Sequence, residues 1–176
     1  MPEVVFLNSH DGTSAYQLRM GIFRVVCTNG LIVSHGAFPA YCVSHRWNVV
    51  EEVVAGALKL CEEFEHLAAQ VERMEQRHLH QAAQVRFAEE ALVLRFPDRA
   101  QAGIQASQLL ACRRPEDAGD DLWRVLNRVQ ERLLSGDLHR RSISGRLTRT
   151  RRITSIATDV RLNSQLWDPA TQVLAA

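Results

Sequence analysis

One stripe of apolar side chains constrains this chain more than any other feature. It runs Val50, Val53, Ala57, Leu60, Phe64, Leu67, Val71 and Met74, with steps that alternate between three and four. Only an α-helix brings such positions to one side, because its period of about 3.6 residues lies between those steps. Asn48 is placed to cap the start, with Glu51 in the position of a capping-box partner. Glutamates and Arg73 fill the other faces. A helix of that length must lie along another helix to cover its stripe. Gln81 to Phe96 supplies one, with Val85, Ala88 and Leu92 on a face and Phe87, Ala91 and Leu94 on its flank, and Pro97-Asp98 ends it. A turn near His78-Leu79-His80 makes residues 47–97 a long helical hairpin, since short connections join antiparallel neighbours. The other use of the stripe is a homo-oligomer.

Before the stripe the pattern is β. Val4 to Leu7 is a short apolar run, and Asn8-Ser9-His10-Asp11-Gly12 is a turn signal. From Ser14 polar and apolar residues alternate, Gly21 interrupts, and Ile22 to Cys27 reads as a further strand. Asn29-Gly30 suits a tight hairpin, because both residues tolerate positive φ. Leu31 to Ser34 returns, and Tyr41 to Ser44 adds another strand.

After the stripe the chain is helical. Ser107 to Arg113 reads as a short helix before Pro115. Gly119-Asp120-Asp121 opens a helix whose buried face is Leu122, Val125, Leu126, Val129 and Leu133, with Gly136 as its C-cap. The last helix spans Arg151 to Trp167, and Asp168-Pro169 breaks it. The fold class is therefore α+β: a small N-terminal antiparallel sheet, then a long helical hairpin and further helices. The 176 residues read as a single domain, with a β part over 1–46, the hairpin over 47–97, and C-terminal helices over 105–176 carrying an arginine-rich loop at 139–152.

Composition excludes several classes. Hydrophobic residues make up 46%, enough for a packed core and against disorder over most of the length. No run of 18 apolar residues suggests a membrane span, and Met1-Pro2-Glu3 does not begin a secretory signal. The expected location is cytoplasmic, with no membrane partner. The four cysteines, Cys27, Cys42, Cys61 and Cys112, form no C-x-x-C pair and sit in apolar sequence, which predicts buried free thiols.

The net charge is +1, but arginine supplies 20 of the 21 basic residues. Coding bias is one explanation. Recognition of phosphate or carboxylate by the planar guanidinium is the other. Arg140, Arg141, Arg146, Arg149, Arg151 and Arg152 fall within 13 residues, among Ser142, Ser144, Gly145, Thr148 and Thr150, with no acid. Such a segment suits a flexible loop around a polyanion, where guanidinium groups meet phosphates and hydroxyls add hydrogen bonds. An acidic protein surface, or a loop paired with the acidic helices of the same chain, uses the same residues.

A second polar group is Asn8-Ser9-His10-Asp11-Gly12-Thr13-Ser14. His10 and Asp11 have the chemistry of a proton shuttle or metal ligand, and with Asn8 and Asn29 they make a candidate ligand turn. Asx turns explain the same residues by architecture alone. His66 and His78 stand 12 apart, too far along one helix to share a metal. No Walker loop, nucleophile elbow, H-E-x-x-H or G-x-G-x-x-G occurs. The expectation is a non-enzyme with no cofactor and no metal.

The blocks Asn8-Ser9-His10-Asp11-Gly12-Thr13-Ser14-Ala15-Tyr16 and Phe23-Arg24-Val25-Val26-Cys27-Thr28-Asn29-Gly30-Leu31 resemble the signature of the domain-of-unknown-function family 932. So do Leu109 to Asp117, Leu122 to Glu131, and Asn163-Ser164-Gln165-Leu166-Trp167. The resemblance implies a protein carried by phages, plasmids and integrated elements, and a loose likeness to phage single-strand annealing proteins. Members of that family carry a longer segment ahead of the first block, so the chain is expected to be truncated at its N-terminus, with an exposed sheet edge open to another chain. Two functions follow as expectations. One is an accessory protein of a mobile element that binds DNA or RNA, with Tyr16, Phe23 or Trp47 stacking on bases. The other is an inhibitor of a host nucleic-acid-processing complex, such as an anti-CRISPR protein, that occupies a binding surface.

Overall fold

The computed structural model describes residues 2–8, 15–22, 31–33, 40–44, 49–97, 103–141 and 145–175. The fold is α+β, a small antiparallel sheet at the N-terminus followed by helices. Where the sequence suggests parts at 1–46, 47–97 and 105–176, the chain clusters into two compact units, Met1–Gln70 and Val71–Ala176.

In the first unit the alternating segment forms β2 (Tyr16–Ile22), the centre of the sheet. It pairs antiparallel with β1 (Pro2–Leu7), from Pro2↔Ile22 to Leu7↔Gln17. Its other edge carries two short strands end to end. β3 (Leu31–Val33) pairs at Ile22↔Leu31, and β4 (Tyr41–Val43) pairs at Leu18↔Tyr41. The period of two puts Leu18, Met20 and Ile22 on one buried face. Helix α1 (Val49–Glu62) packs against β1, β2 and β4. Gly21 does not interrupt β2, as the sequence suggests; the strand continues through it, paired with Glu3 and Ile32. The glycine answers a close approach instead, since a Cβ there would lie 2.7 Å from Val5 Cγ2.

The heptad stripe is not one helix. α1 stops at Glu62, and α2 (Phe64–Gln76) starts after a turn in which Glu63 N–H donates to the Leu60 carbonyl at 3.1 Å. Alternating steps fix the direction of side chains but not backbone continuity, so the phase survives the break. Leu60, Leu67 and Met74 are fully buried, whereas Val50, at the head of the stripe, is 75% exposed.

The second unit is built on α3 (Gln81–Arg95), α4 (Leu122–Ser135) and α5 (Ile156–Ala175), with a hairpin of β5 (His139–Arg141) and β6 (Leu147–Arg149). α3 takes partners from the C-terminal part of the chain, packing against α4, α5 and the 3₁₀ turn Ala106–Gln108. That single turn is all that forms of the helix expected over 107–113; Leu109 is fully buried next to it. The turn before α3 is stitched to the start of α4. Leu79 N–H donates to Asp120 C=O and Leu122 N–H to Arg77 C=O, both at 2.8 Å. His78 Nδ1 lies 2.8 Å from Asp120 Oδ1, and the hydrogen bond from the imidazole holds that carboxyl below its ordinary range.

α4 begins and ends where its sequence says. Asp121 caps it by accepting from Arg124 N–H at 2.9 Å, and Gly136 is the C-cap. Its buried face also carries polar groups. Gln130 Nε2 donates to Asn163 Oδ1 of α5 at 2.7 Å. Arg128 Nη1 donates to the carbonyls of Asp117 and Gly119, and its Nη2 to Gln84 of α3. These bonds favour one register of the helices, since sliding would break them in a dry place, although Arg128 Nε itself is buried without a partner.

α5 differs from the expected helix at 151–167. It starts at Ile156 and runs through Pro169 to Ala175. Proline removes one backbone donor, but the apolar stripe of Leu162, Leu166 and Trp167 continues to the buried Ala170, and packing outweighs the lost bond. The thiols also differ from expectation. Cys42, Cys61 and Cys112 are free, as expected, but exposed: each lies at a strand edge, helix face or loop turned away from the core. Among the described residues no helix is long and apolar enough to cross a membrane.

Candidate nucleic-acid interface

The arginine-rich segment is not a plain loop. It contains the β5–β6 hairpin, in register His139↔Arg149, Arg140↔Thr148 and Arg141↔Leu147. Its base is fastened to the end of α4. Gly136 has φ +73°, and a Cβ there would meet the Arg151 carbonyl oxygen at 2.6 Å. Asp137 follows at φ +60°, so two consecutive residues of positive φ turn the chain out of the helix. Asp137 N–H then donates to Thr150 C=O, Thr150 N–H to Leu138 C=O, and Ile153 N–H to Leu134 C=O, all at 2.9 Å.

Two neighbours hold this base. The Gln108 amide brackets His139, donating to its carbonyl at 2.9 Å and accepting from its N–H at 2.7 Å. The Arg95 guanidinium of α3 donates to the carbonyls of Leu133 and Arg151, joining the C-terminus of α4 to the chain that leaves the hairpin. Half-burial holds the Arg95 pKa below its ordinary value, though it stays protonated. The hairpin is thus presented on a fixed base, which lowers the entropy lost when its side chains meet a ligand.

The candidate arginines differ in what they touch. Arg140 Nε donates to Thr148 Oγ1, its cross-strand partner, at 3.2 Å. That bond leaves the guanidinium without an ion pair among the described residues. Arg149 Nη1 lies 2.9 Å from Asp137 Oδ1, and Arg113 Nη2 lies 3.5 Å from Oδ2 of the same carboxylate. The hydrogen bond from Arg149 and then its charge hold Asp137 below the usual carboxylate range, with Arg113 and His139 adding to the effect. Arg146, Arg151 and Arg152 are exposed. The Arg152 charge acts on Asp159, whose carboxyl burial nevertheless pushes up. Arg141 pairs through its backbone with Leu147.

The hairpin carries Arg140 beside Thr148 on one face and Arg149 beside His139 on the other, Arg141 lies opposite Leu147, Arg146 directly precedes β6, and Arg151 and Arg152 follow it in the chain. The sequence reading missed Arg95 and Arg113. The pair Arg113-Arg114 ahead of Pro115 was a visible signal, but Arg114 is taken by Glu131 at 3.0 Å while Arg113 turns to Ser135 and Asp137. Of the candidate ligand turn, Asn8 is exposed just after β1, and His10, Asp11 and Asn29 lie outside the described residues. The histidines noted in sequence stand apart. His66 contacts Gln70, His78 contacts Asp120, and His80 Nδ1 caps α3 by accepting from Ala83 N–H. Among the described residues no group of three or more metal-ligating side chains forms.

Comparison with known proteins gives a family. The family model described as Domain of unknown function (DUF932) matches residues 1–167. The UPF0380 protein YfjQ of Escherichia coli (strain K12) is 39% identical over 174 residues, covering 99% of this chain and 63% of the relative. The UPF0380 protein YafZ of the same organism is 38% identical over the same shares. The chain thus spans 63% of the length of the curated relatives it matches. No solved structure matches.

Proposed function

This chain belongs to the DUF932 family, and on that footing we propose that it is a non-catalytic accessory protein of a phage, plasmid or integrated element that grips nucleic acid through the β5–β6 hairpin. The observation that carries the reading is the acid-free run Arg140 to Arg152, presented on a hydrogen-bonded base with Arg140, Arg146, Arg149, Arg151 and Arg152 all exposed. Exposed guanidinium groups displace condensed counterions from a phosphate backbone, and that release supplies affinity without reading sequence. Thr148 and Thr150 add hydroxyls beside them. Asp137 opposes the field, yet its charge is shared between Arg149 and Arg113, so the cluster keeps a cationic surplus.

Salt titration of binding to single-stranded and double-stranded oligonucleotides tests this. The expected result is a linear fall of log affinity with log salt. Replacing Arg140, Arg151 and Arg152 together by alanine should flatten the single-strand slope by about 2, at roughly 0.7 per lost contact. No binding at low salt, or a slope that the triple variant leaves unchanged, overturns the proposal.

A second reading, an inhibitor of a host defence complex such as an anti-CRISPR protein, draws on a different observation. Val50, Val54 and Leu58 of α1 are 75%, 52% and 61% exposed, at steps of four that align them on one helix face. Apolar rows of this kind suit a protein partner better than a polyanion. Stoichiometric capture of a host nuclease complex, lost in Val54→Asp, supports it; capture of nucleic acid alone counts against it.

A further inference from the structure

Away from the hairpin, the start of α3 borders a cavity of about 510 Å³, within the range of small-molecule sites. We propose that it is a second anion site and takes a nucleoside monophosphate. Its polar rim holds Arg77, His78, His80, Arg86 and Glu90.

Two of these groups are already committed. His78 is bonded to Asp120, and His80 Nδ1 accepts from Ala83 N–H. Because His80 caps α3, the helix end is not the anion receptor. Arg77 and Arg86 remain, both exposed and with side chains that make no hydrogen bond or ion pair among the described residues. Glu90 is one turn beyond Arg86 and is likewise unpaired among the described residues. The free groups thus sum to two cations and one acceptor.

The rest of the wall is apolar. Ala83 of α3 and Val173 of α5 are half-buried there, and Leu79 and Phe87 are buried lining residues beside them. A ligand that satisfies every part needs an anion of phosphate geometry for two guanidinium forks, a flat weakly polar body against the wall, and a donor for Glu90. Inorganic phosphate leaves the wall unfilled and sets its charge against Glu90. A nucleoside leaves both arginines unsatisfied. A nucleoside monophosphate meets all three, with a sugar hydroxyl or an exocyclic amine as the donor.

Calorimetric titration of the whole chain at low salt with adenosine monophosphate, inorganic phosphate and adenosine tests the site. The monophosphate should bind, phosphate at least about tenfold more weakly, and adenosine without measurable heat. Arg77→Ala and Arg86→Ala should each weaken the monophosphate about tenfold with unchanged thermal unfolding, since both side chains are exposed. Glu90→Gln keeps an acceptor and should cost less. The triple variant at Arg140, Arg151 and Arg152 should bind it as the parent does, which separates this site from the hairpin. Absence of heat from the monophosphate overturns the proposal. So does affinity that survives both arginine changes together, or phosphate that binds as tightly as the monophosphate.

Discussion

The two units spend their polar side chains in opposite ways. In the first, the described core is apolar, with Leu18, Met20, Ile22 and Val43 on the sheet and Leu60 and Leu67 on the helices, while α1 exposes Val50, Val54 and Leu58. In the second, Gln84, Asp117, Asp121, Asn127, Arg128, Gln130 and Asn163 lie buried beside Phe87, Leu126 and Trp167. A core held by area alone tolerates sliding, because apolar contact has no direction. A core with bonded polar groups does not, because displacement strands a donor in a dry place. Precision is needed where a cluster of like charges must be held on a fixed base. The unit that carries the arginine hairpin is the one with the polar core.

Three substitutions put that contrast at risk. The largest effect belongs to Trp167→Ala. Its side chain is 2% exposed where α5 meets the core, and the cavity left behind should cost about 3–5 kcal/mol in urea unfolding. A loss under about 1 kcal/mol would mean that the second unit does not depend on one tightly filled core. Gly136→Ala comes next. It forces a Cβ to 2.6 Å from the Arg151 carbonyl at φ +73°, and should cost about 2 kcal/mol by thermal unfolding. A neutral result would show that the hairpin base yields. The smallest effect is expected in the first unit, where Leu58→Gln on the exposed face of α1 should change stability by no more than about 0.5 kcal/mol. A larger loss would show that this face is covered in solution, and the contrast between the units would shrink.

Local signals in the sequence carried far. Asp121 and Gly136 marked both ends of α4, and the alternation from Ser14 gave most of the central strand, though not its continuation through Gly21 to Ile22. These succeeded because caps and strand faces are set by neighbours in the chain. The stripe from Val50 to Met74 misled on length, since a turn at Glu63 preserves its phase. Pro169 misled in the other direction: packing around Trp167 and Ala170 carries the helix past a residue that locally ends one. At the candidate site the arginines were legible by composition. Their arrangement was not, because the hairpin is fastened by Gln108 and Arg95, which lie far back in the chain. The exposed cysteines teach the same point, as apolar neighbours in sequence do not make a buried position in space.

The ladder joining Arg77 and Leu79 to Asp120 and Leu122 turns the intervening chain into a closed ring, with His78 and Asp120 separated by 42 positions at its neck. Closing a ring of that size costs on the order of 3 kcal/mol in chain entropy before any helix inside it can pack. The neck must therefore form together with the docking of α3 on α4, not ahead of it. The helical half of this molecule should accordingly assemble at the slower pace of a fold with distant contacts, despite its helix content.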